Sequence, residues 1–302
     1  SDPATSGYEA LQELVTCRDA LRAEERRVSR EILGERTQVF LCTVASTSRL
    51  LILWQDLFGD ERPLEMHTVV VDECGCTTES SVALLLRLKP TNLILVGDHK
   101  QLPPSTFVPP YELHGTGHAR SLLERCALVS GINHLLREQY RMHSAICAVV
   151  GTRFYQGKLQ TPTDVARQRE TECGVPLCWV PVRGEESHPP RSRSYVNEQE
   201  VEVAVRVAGS LSARHPTASV AILTFYKAHF RALEKAVQEA KLMGVEVLTV
   251  DACQGAEFDY VVLSTVRSNR GREIGFARDA QRINVAISRR GQPRDARGKG
   301  QR

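Results

Sequence analysis

The chain has 302 residues, 42% of them hydrophobic and 25% charged, a balance that supports an ordinary buried core and excludes a disordered or fibrous class. With 39 Lys and Arg against 36 Asp and Glu the net charge is only +3, so total charge does not announce a nucleic-acid partner, although a basic groove can sit inside a near-neutral total. No run approaches the roughly 18 apolar residues of a membrane span and nothing reads as a secretory leader, so we expect an intracellular protein of the cytoplasm or nucleus with no membrane partner.

The length predicts two domains. The nine cysteines are odd in number and scattered, which reads as reduced thiols in a reducing compartment. Cys74 and Cys76 form a lone C-x-C, and Cys173 and Cys178 lack a second knuckle at tetrahedral zinc spacing.

Taken in order, residues 1–7 read as a frayed end. Residues 9–33 carry spaced apolar side chains among dense charges such as RAEERR, predicting a long, mostly exposed helix or helical hairpin ended by Gly34. Residues 38–43 (QVFLCT) predict a strand. Residues 69–71, three valines, predict a parallel strand hydrophobic on both faces. Residues 78–88 predict a helix and residues 93–96 a second strand, together a βαβ unit. Helices are expected at 122–128 and after the LLREQYRMH segment, running toward FYQGKLQ. Residues 183–193 predict a polar, Pro-rich, basic loop. Then come a helix at 197–214, a strand at 220–224, a helix at 226–243 ended by Gly244, and strands at 245–250 and 260–266. The last twelve residues hold no apolar side chain larger than Ala or Pro and read as a disordered basic tail.

The chemistry-bearing stretch is TVVVDECGC, residues 68–76. Ligands of parallel sheets sit at the carboxyl ends of the strands, which is where Asp72 and Glu73 fall. One carboxylate can hold Mg²⁺, largely through waters, and the other can take a proton from an attacking water. That is the layout of a Walker B element, although the pair alone fits a solvated strand end equally well.

Further motifs follow in order: GDHKQLPP, QYRMH, FYQGKL, NEQE, TFYKAH, TVDACQGAEFDYVVLSTVRSN and RINVAISRR, with Glu79 behind the carboxylate pair. Together they resemble superfamily 1 helicases of the up-frameshift and senataxin type, over about residues 38–290. The resemblance implies two RecA-like parallel-sheet domains, the first (1–130) incomplete at its N-terminus and bearing a helical stalk, the second at 131–290, and the tail at 291–302. It implies ATP and Mg²⁺ as cofactors and single-stranded RNA or DNA as the partner, with nucleotide hydrolysis in an interdomain cleft coupled to translocation and unwinding.

Residue by residue, the resemblance makes Asp72 the Mg²⁺ ligand, Glu73 the group that orients and deprotonates water, and Gln101 the sensor of the γ-phosphate. Gln101 suits that role because an amide both donates and accepts. Arg141 and Arg289 match the arginine fingers, planar donors suited to bidentate contact with phosphate oxygens and worth about 10³–10⁵ in rate in such enzymes. Tyr140 is expected on the base, Glu257 and Gly255 at the nucleotide, with Gly255 allowing a tight strand-to-helix approach. Thr43, Thr224 and Thr249, at expected strand ends, suit phosphate contacts, and Tyr226 and Lys227 could add stacking and charge.

The largest departure is that no G-x-x-x-x-G-K-[ST] occurs in the chain. Such a P-loop cradles the phosphates with backbone amides and a lysine. In the family it lies upstream of where this chain starts, so we expect either the C-terminal part of a larger helicase or a truncated gene model, and little ATP hydrolysis by these residues alone. Smaller departures are Cys74 for the usual Ala, Ser144 for Pro, Phe225 and His229 for Pro and Gln, and Arg290 for a small residue. Two other readings stay open: a non-catalytic nucleic-acid-binding remnant or scaffold, and a translocase that does not unwind.

Overall fold

The computed structural model describes residues 3–106, 108, 116–131, 134–168 and 175–289. All its strands pair in parallel, in two sheets. The chain divides into two compact units: one runs to Gly97 and resumes at Ser105–Leu122, and the other takes Asp98–Pro104 and the chain from Leu123 onward. The tail expected at 291–302, and Arg290, lie outside the described residues.

In the first unit a single long helix, α1 (Pro3–Glu31), continues into one π-helical turn at Ile32–Arg36. Leu14 and Leu21 stand exposed on it. Its C-terminal part is tied to the end of helix α2 (Thr47–Phe58). The Arg26 Nη2 donates to the Asp56 carbonyl at 2.6 Å and the Arg30 Nε to the Leu57 carbonyl at 2.6 Å, two cations meeting the orphan carbonyls of a helix C-terminus.

The strand expected at 38–43 is not formed. The segment belongs to no helix or strand, no strand pairs with it among the described residues, and Val39 and Leu41 are 74% and 94% exposed. High β-propensity does not make a strand without a neighbour to complete the ladder and cover one face.

Strand β1 (Thr68–Val71) pairs with β2 (Asn92–Leu95) in the register Thr68↔Asn92 to Val71↔Leu95. Between them run a 3₁₀ turn at Cys74–Cys76, helix α3 (Glu79–Ala83) and its 3₁₀ continuation Leu84–Leu88. The Thr78 hydroxyl caps α3 by accepting from the Ser81 N–H. The βαβ unit is therefore present. The expectation of burial on both faces is corrected: Val71 is buried, whereas Val70 and Ile94, partners across the register, are exposed. Two strands alternate side chains to two faces, and only one of those faces is covered here.

The second unit contains α4 (Leu122–Ser130), α5 (Ser144–Phe154), α6 (Thr163–Gln168), α7 (Glu198–Arg214), β3 (Val220–Thr224), α8 (Lys227–Glu239), β4 (Val245–Thr249), β5 (Tyr260–Ser264), a 3₁₀ turn at Gly275–Arg278 and α9 (Ala280–Ile287). The sheet order is β4-β3-β5. Every residue of β3 is buried, as expected of the middle strand of a parallel sheet. Val220 and Ile222 point into a core with Val201, Ala204 and Ala208 of α7 and Leu233 and Val237 of α8. Ala221 and Leu223 point the other way, into a core with Val250, Phe258, Val285 and Ala286. Leu102 is buried in this second core, which is how the GDHKQLPP segment joins this unit.

Three local choices fix the ends of these elements. Asn197 caps α7, its side-chain oxygen accepting from the Glu200 N–H at 3.2 Å. Asp279 caps α9, accepting from the Gln281 and Arg282 N–H groups. β5 stops two residues short of its expected end because Val266 takes φ +72° and the Arg267 N–H closes onto the Thr265 carbonyl at 2.8 Å, a γ-turn that ends the ladder.

Candidate functional site

In the first unit β1 delivers Asp72 and Glu73 to its carboxyl end. The ladder continues past the strand: the Val96 N–H donates to the Val71 carbonyl and the Cys74 N–H to the Val96 carbonyl, both at 2.8 Å. Between those anchors Glu73 adopts φ 50°, ψ 33°, a left-handed conformation that costs a residue with a Cβ about 1–2 kcal/mol. The turn is held from both sides. The Asp72 Oδ1 accepts from the Glu73 N–H at 2.9 Å, and the Glu73 carbonyl accepts from the Cys76 N–H and thiol. Both carboxylates are exposed and Cys74 is fully buried beneath them.

In the second unit a hydrogen-bonded cluster gathers around Asp98. Its Oδ1 accepts from the Lys100 N–H at 2.9 Å; its Oδ2 accepts from the Tyr155 hydroxyl at 2.5 Å and the Gln101 Nε2 at 2.9 Å. The Gln101 Oε1 accepts from the Arg289 Nη2 at 3.1 Å. Arg289 is 1% exposed, and its Nε donates to the Val285 carbonyl at 3.0 Å within the last turn of α9. Asn284 donates from Nδ2 to both the Tyr155 hydroxyl and the Lys100 carbonyl, at 2.8 and 2.9 Å. Burial, with the Asp98 carboxylate beside it, pushes the Tyr155 hydroxyl well above its ordinary pKa, so it stays a donor at any physiological pH.

In the same unit the Arg141 Nε donates to the Glu257 Oε1 at 2.6 Å. Gln139 shapes that loop, its Oε1 accepting from the Arg141 and Met142 N–H groups.

Residues 5–108 and 118–292 of the chain each match an AAA domain, the paired domains of up-frameshift-like helicases. The chain belongs to the superfamily 1 helicases of the up-frameshift and senataxin type. It is 35% identical over 234 residues to the mouse "5'-3' DNA helicase ZGRF1", covering 75% of this chain and 12% of that protein. It is 32% identical over 286 residues to the rat "DNA-binding protein SMUBP-2", covering 88% and 28%. It is 30% identical over 285 residues to the "Regulator of nonsense transcripts 1 homolog" of Arabidopsis thaliana, covering 89% and 21%. The chain thus spans between about a tenth and just over a quarter of the length of these relatives.

Of the side chains that helicase motifs single out, Gln101 and Arg289 meet across 188 residues of sequence, as do Arg141 and Glu257 across 116. Tyr140 is 59% exposed, its hydroxyl donating to Glu138 at 2.8 Å; it is no core aromatic. Lys227, Thr43 and partly Thr249 reach the surface.

Four expectations are corrected. Gly255 does not serve a strand-to-helix approach: the chain after it leads into β5, a Cβ there would meet nothing within 4 Å, and what the position needs is its φ of +78°, in the turn between β4 and β5. Thr43 ends no strand; its hydroxyl oxygen accepts from the Ser46 N–H at 3.1 Å just before α2. Thr224 does end a strand but is fully buried, so its hydroxyl is out of reach of a phosphate. Tyr226 is 3% exposed, with ring centroids of Tyr195 and Phe276 at 5.5 and 5.2 Å and its hydroxyl accepting from the Phe276 N–H at 3.2 Å. Its ring is part of the core and has no open face for a base. Gly275 makes that packing possible: φ is +53° there, and a Cβ would run into the Tyr226 hydroxyl and Arg267.

Sequence reasoning passes over several residues that the helicase fold uses. Tyr155 lies in the FYQGKL motif and Asn284 in RINVAISRR, yet the motifs assign neither a role. His229 is fully buried. Its Nδ1 accepts from the Asn197 N–H, and its Nε2 lies 2.8 Å from the Ser264 hydroxyl, which donates to Glu200. Burial pulls its pKa down to about 4. The same Glu200 Oε2 accepts from the Val266 N–H at 2.9 Å, and Asn197 donates to the Val266 carbonyl. Glu186, from the loop expected to be merely polar, accepts from the Arg267 Nε and from the Ser268 N–H at 2.9 and 2.7 Å. Burial works to raise its carboxyl, but bonds from Arg267, Asn269 and the Ser268 N–H hold it below the usual carboxylate range. Motif spacing carries none of these pairings.

Proposed function

We propose that these residues form part of an ATP-dependent helicase motor acting on single-stranded RNA or DNA. The observation that carries this reading is the junction of Gln101 with Arg289. An amide that can meet a water is held by a guanidinium that is itself buried, on a loop and a helix end brought from distant parts of the chain. Phosphoryl transfer asks a protein for positioning and charge stabilisation above all, and this pair offers the positioning.

The arginine-finger role expected of Arg289 is corrected, because the side chain is buried and holds Gln101 instead. In this reading Gln101 senses the γ-phosphate, Glu257 contacts the nucleotide and Tyr140 its base, and Arg141 stabilises charge on the γ-phosphate. Arg141 leaves the Glu257 carboxylate to do so; both are partly exposed, at 31% and 47% of the side chain, and the exchange costs little because exposed ion pairs are weak. At the end of β1 the exposed Asp72 carboxylate offers the hard oxygen donor that Mg²⁺ takes. Bound there, Mg²⁺ would neutralise phosphate charge. Glu73, exposed at the same strand end, would accept a proton from water. Nucleic acid contacts are proposed for Thr43, Lys227 and Thr249, and withdrawn for Thr224 and Tyr226.

The absence of a G-x-x-x-x-G-K-[ST] sequence from these residues supports a narrower statement: they bind nucleotide weakly and hydrolyse it slowly without a phosphate-cradling loop. Phosphate release from ATP, with and without single-stranded RNA, tests it. We expect slow, unstimulated release. Robust RNA-stimulated turnover by the 302 residues overturns the narrower statement. Binding of single-stranded oligonucleotides with no binding of a fluorescent ATP analogue would favour the non-catalytic remnant reading instead.

A further inference from the structure

The proposed function leaves Tyr155 without a task, although its hydroxyl joins Asp98 to Asn284 in the polar cluster around Asp98. We propose that Tyr155 is a positioning residue which, through the Asp98 carboxylate, decides which way the Gln101 amide faces. The inference rests on the reading of Gln101 as the γ-phosphate sensor.

A glutamine amide has two ends of nearly the same shape and opposite hydrogen-bonding character. Here two groups of only one character, the Asp98 carboxylate and the Arg289 guanidinium, meet its two ends, and the Tyr155 hydroxyl also bonds the same side chain. An ionised carboxylate only accepts and a guanidinium only donates. With Asp98 Oδ2 2.9 Å from one end and Arg289 Nη2 3.1 Å from the other, nitrogen must face Asp98 and oxygen must face Arg289. The orientation therefore depends on where the Asp98 carboxylate is held.

Among the described residues three donors hold it. Two belong to its own segment, the Lys100 N–H and Gln101 itself. The third, the Tyr155 hydroxyl at 2.5 Å, comes from elsewhere in the chain. Tyr155 is in turn fixed from two sides: its N–H donates to the Gly151 carbonyl at the end of α5, and its hydroxyl accepts from Asn284 of α9. Without that hydroxyl Asp98 keeps only the donors of its own segment, and the carboxylate that faces the Gln101 amide is less narrowly held.

The segment itself would stay docked. The His99 carbonyl accepts from Gln281 and the Lys100 carbonyl from Asn284, both at 2.9 Å, and Leu102 is buried in the core. Tyr155→Phe therefore removes one tether from the sensor and leaves the fold in place.

The experiment has two readouts on the purified chain and its Y155F and Q101A variants. The first is the side-chain amide resonance of Gln101 after selective ¹⁵N-glutamine labelling, assigned by its disappearance in Q101A. We expect it sharp and distinct in the wild type, and shifted and broadened in Y155F. An unchanged resonance overturns the positioning role whatever nucleotides do. The second is the affinity ratio of a fluorescent non-hydrolysable ATP analogue to fluorescent ADP, with Mg²⁺. We expect the wild type to favour the triphosphate and Y155F to lose roughly fivefold of that preference, the equilibrium worth of one hydrogen bond. A ratio in Q101A equal to the wild type's overturns the sensor reading itself. A ratio that falls in Q101A but not in Y155F overturns the positioning proposal alone. A thermal melt of Y155F close to the wild type's rules out general unfolding as the cause.

Discussion

Gln101 turns its amide nitrogen to Asp98 and its amide oxygen to Arg289, at 2.9 and 3.1 Å. Arg289 is buried, and its guanidinium is also bonded to the Val285 carbonyl and the Ser288 hydroxyl. A fork of fixed donors serves all three at once, which the single ammonium of lysine cannot do. We expect Arg289→Lys to lower stability by about 1–3 kcal/mol, the cost of buried acceptors left unmade, and to weaken nucleotide binding as well. Urea denaturation checks the first outcome and fluorescent-nucleotide titration the second; a variant as stable as the wild type contradicts the burial argument.

Glu73 sits at φ 50°, where glycine is at ease and a Cβ is not. Glu73→Gly relieves that strain while removing the carboxylate. The expected result is a variant no less stable than the wild type, with a gain of up to about 1 kcal/mol after glycine's entropy cost. In any longer form of the protein that hydrolyses ATP, the same change should abolish turnover. A marked drop in melting temperature would show that the left-handed turn stores no strain.

His229 sets a pH dependence. Burial lowers its folded-state pKa from 6.5 to about 4, so the folded chain refuses a proton that the unfolded chain takes up below pH 6.5. Stability is therefore complete above about pH 6.5 and declines as the pH falls toward 4. The full contribution is at most ~3.5 kcal/mol, since each tenfold loss of proton affinity on folding is worth roughly 1.4 kcal/mol. His229→Gln, an uncharged side chain that can still donate and accept, should flatten the decline between about pH 6.5 and 4. Equal slopes in both proteins would remove His229 as the cause.

Tyr226 and Lys227 are neighbours with opposite expectations. Tyr226→Phe should cost about 1 kcal/mol in stability by orphaning the Phe276 N–H, and should leave oligonucleotide affinity unchanged. Lys227→Ala should leave stability unchanged and weaken single-stranded oligonucleotide binding, with a shallower salt dependence if it contacts a phosphate. Anisotropy titrations at several salt concentrations separate the two. Loss of affinity in Tyr226→Phe without loss of stability would restore Tyr226 to the nucleic-acid surface.

The local elements and the family are legible in the residues alone. The valine run of β1, the apolar run of β3 and the amphipathic period of α7 lie in short stretches that need no distant partner to be read, whereas the helix expected to reach Gly244 stops at Glu239. The ordered motifs do the same for membership of the helicase family. Which side chains meet, and which are covered, is settled by three-dimensional packing. Packing left residues 38–43 without a strand partner among the described residues, put Thr224 and Tyr226 inside, joined Gln101 to Arg289, and placed the Tyr155 hydroxyl on Asp98. The reason is physical: propensity and spacing act over a few residues. Strand pairing, burial and hydrogen-bond partnership depend on groups far off in the chain, 57 residues away for Asp98 and Tyr155 and 188 for Gln101 and Arg289.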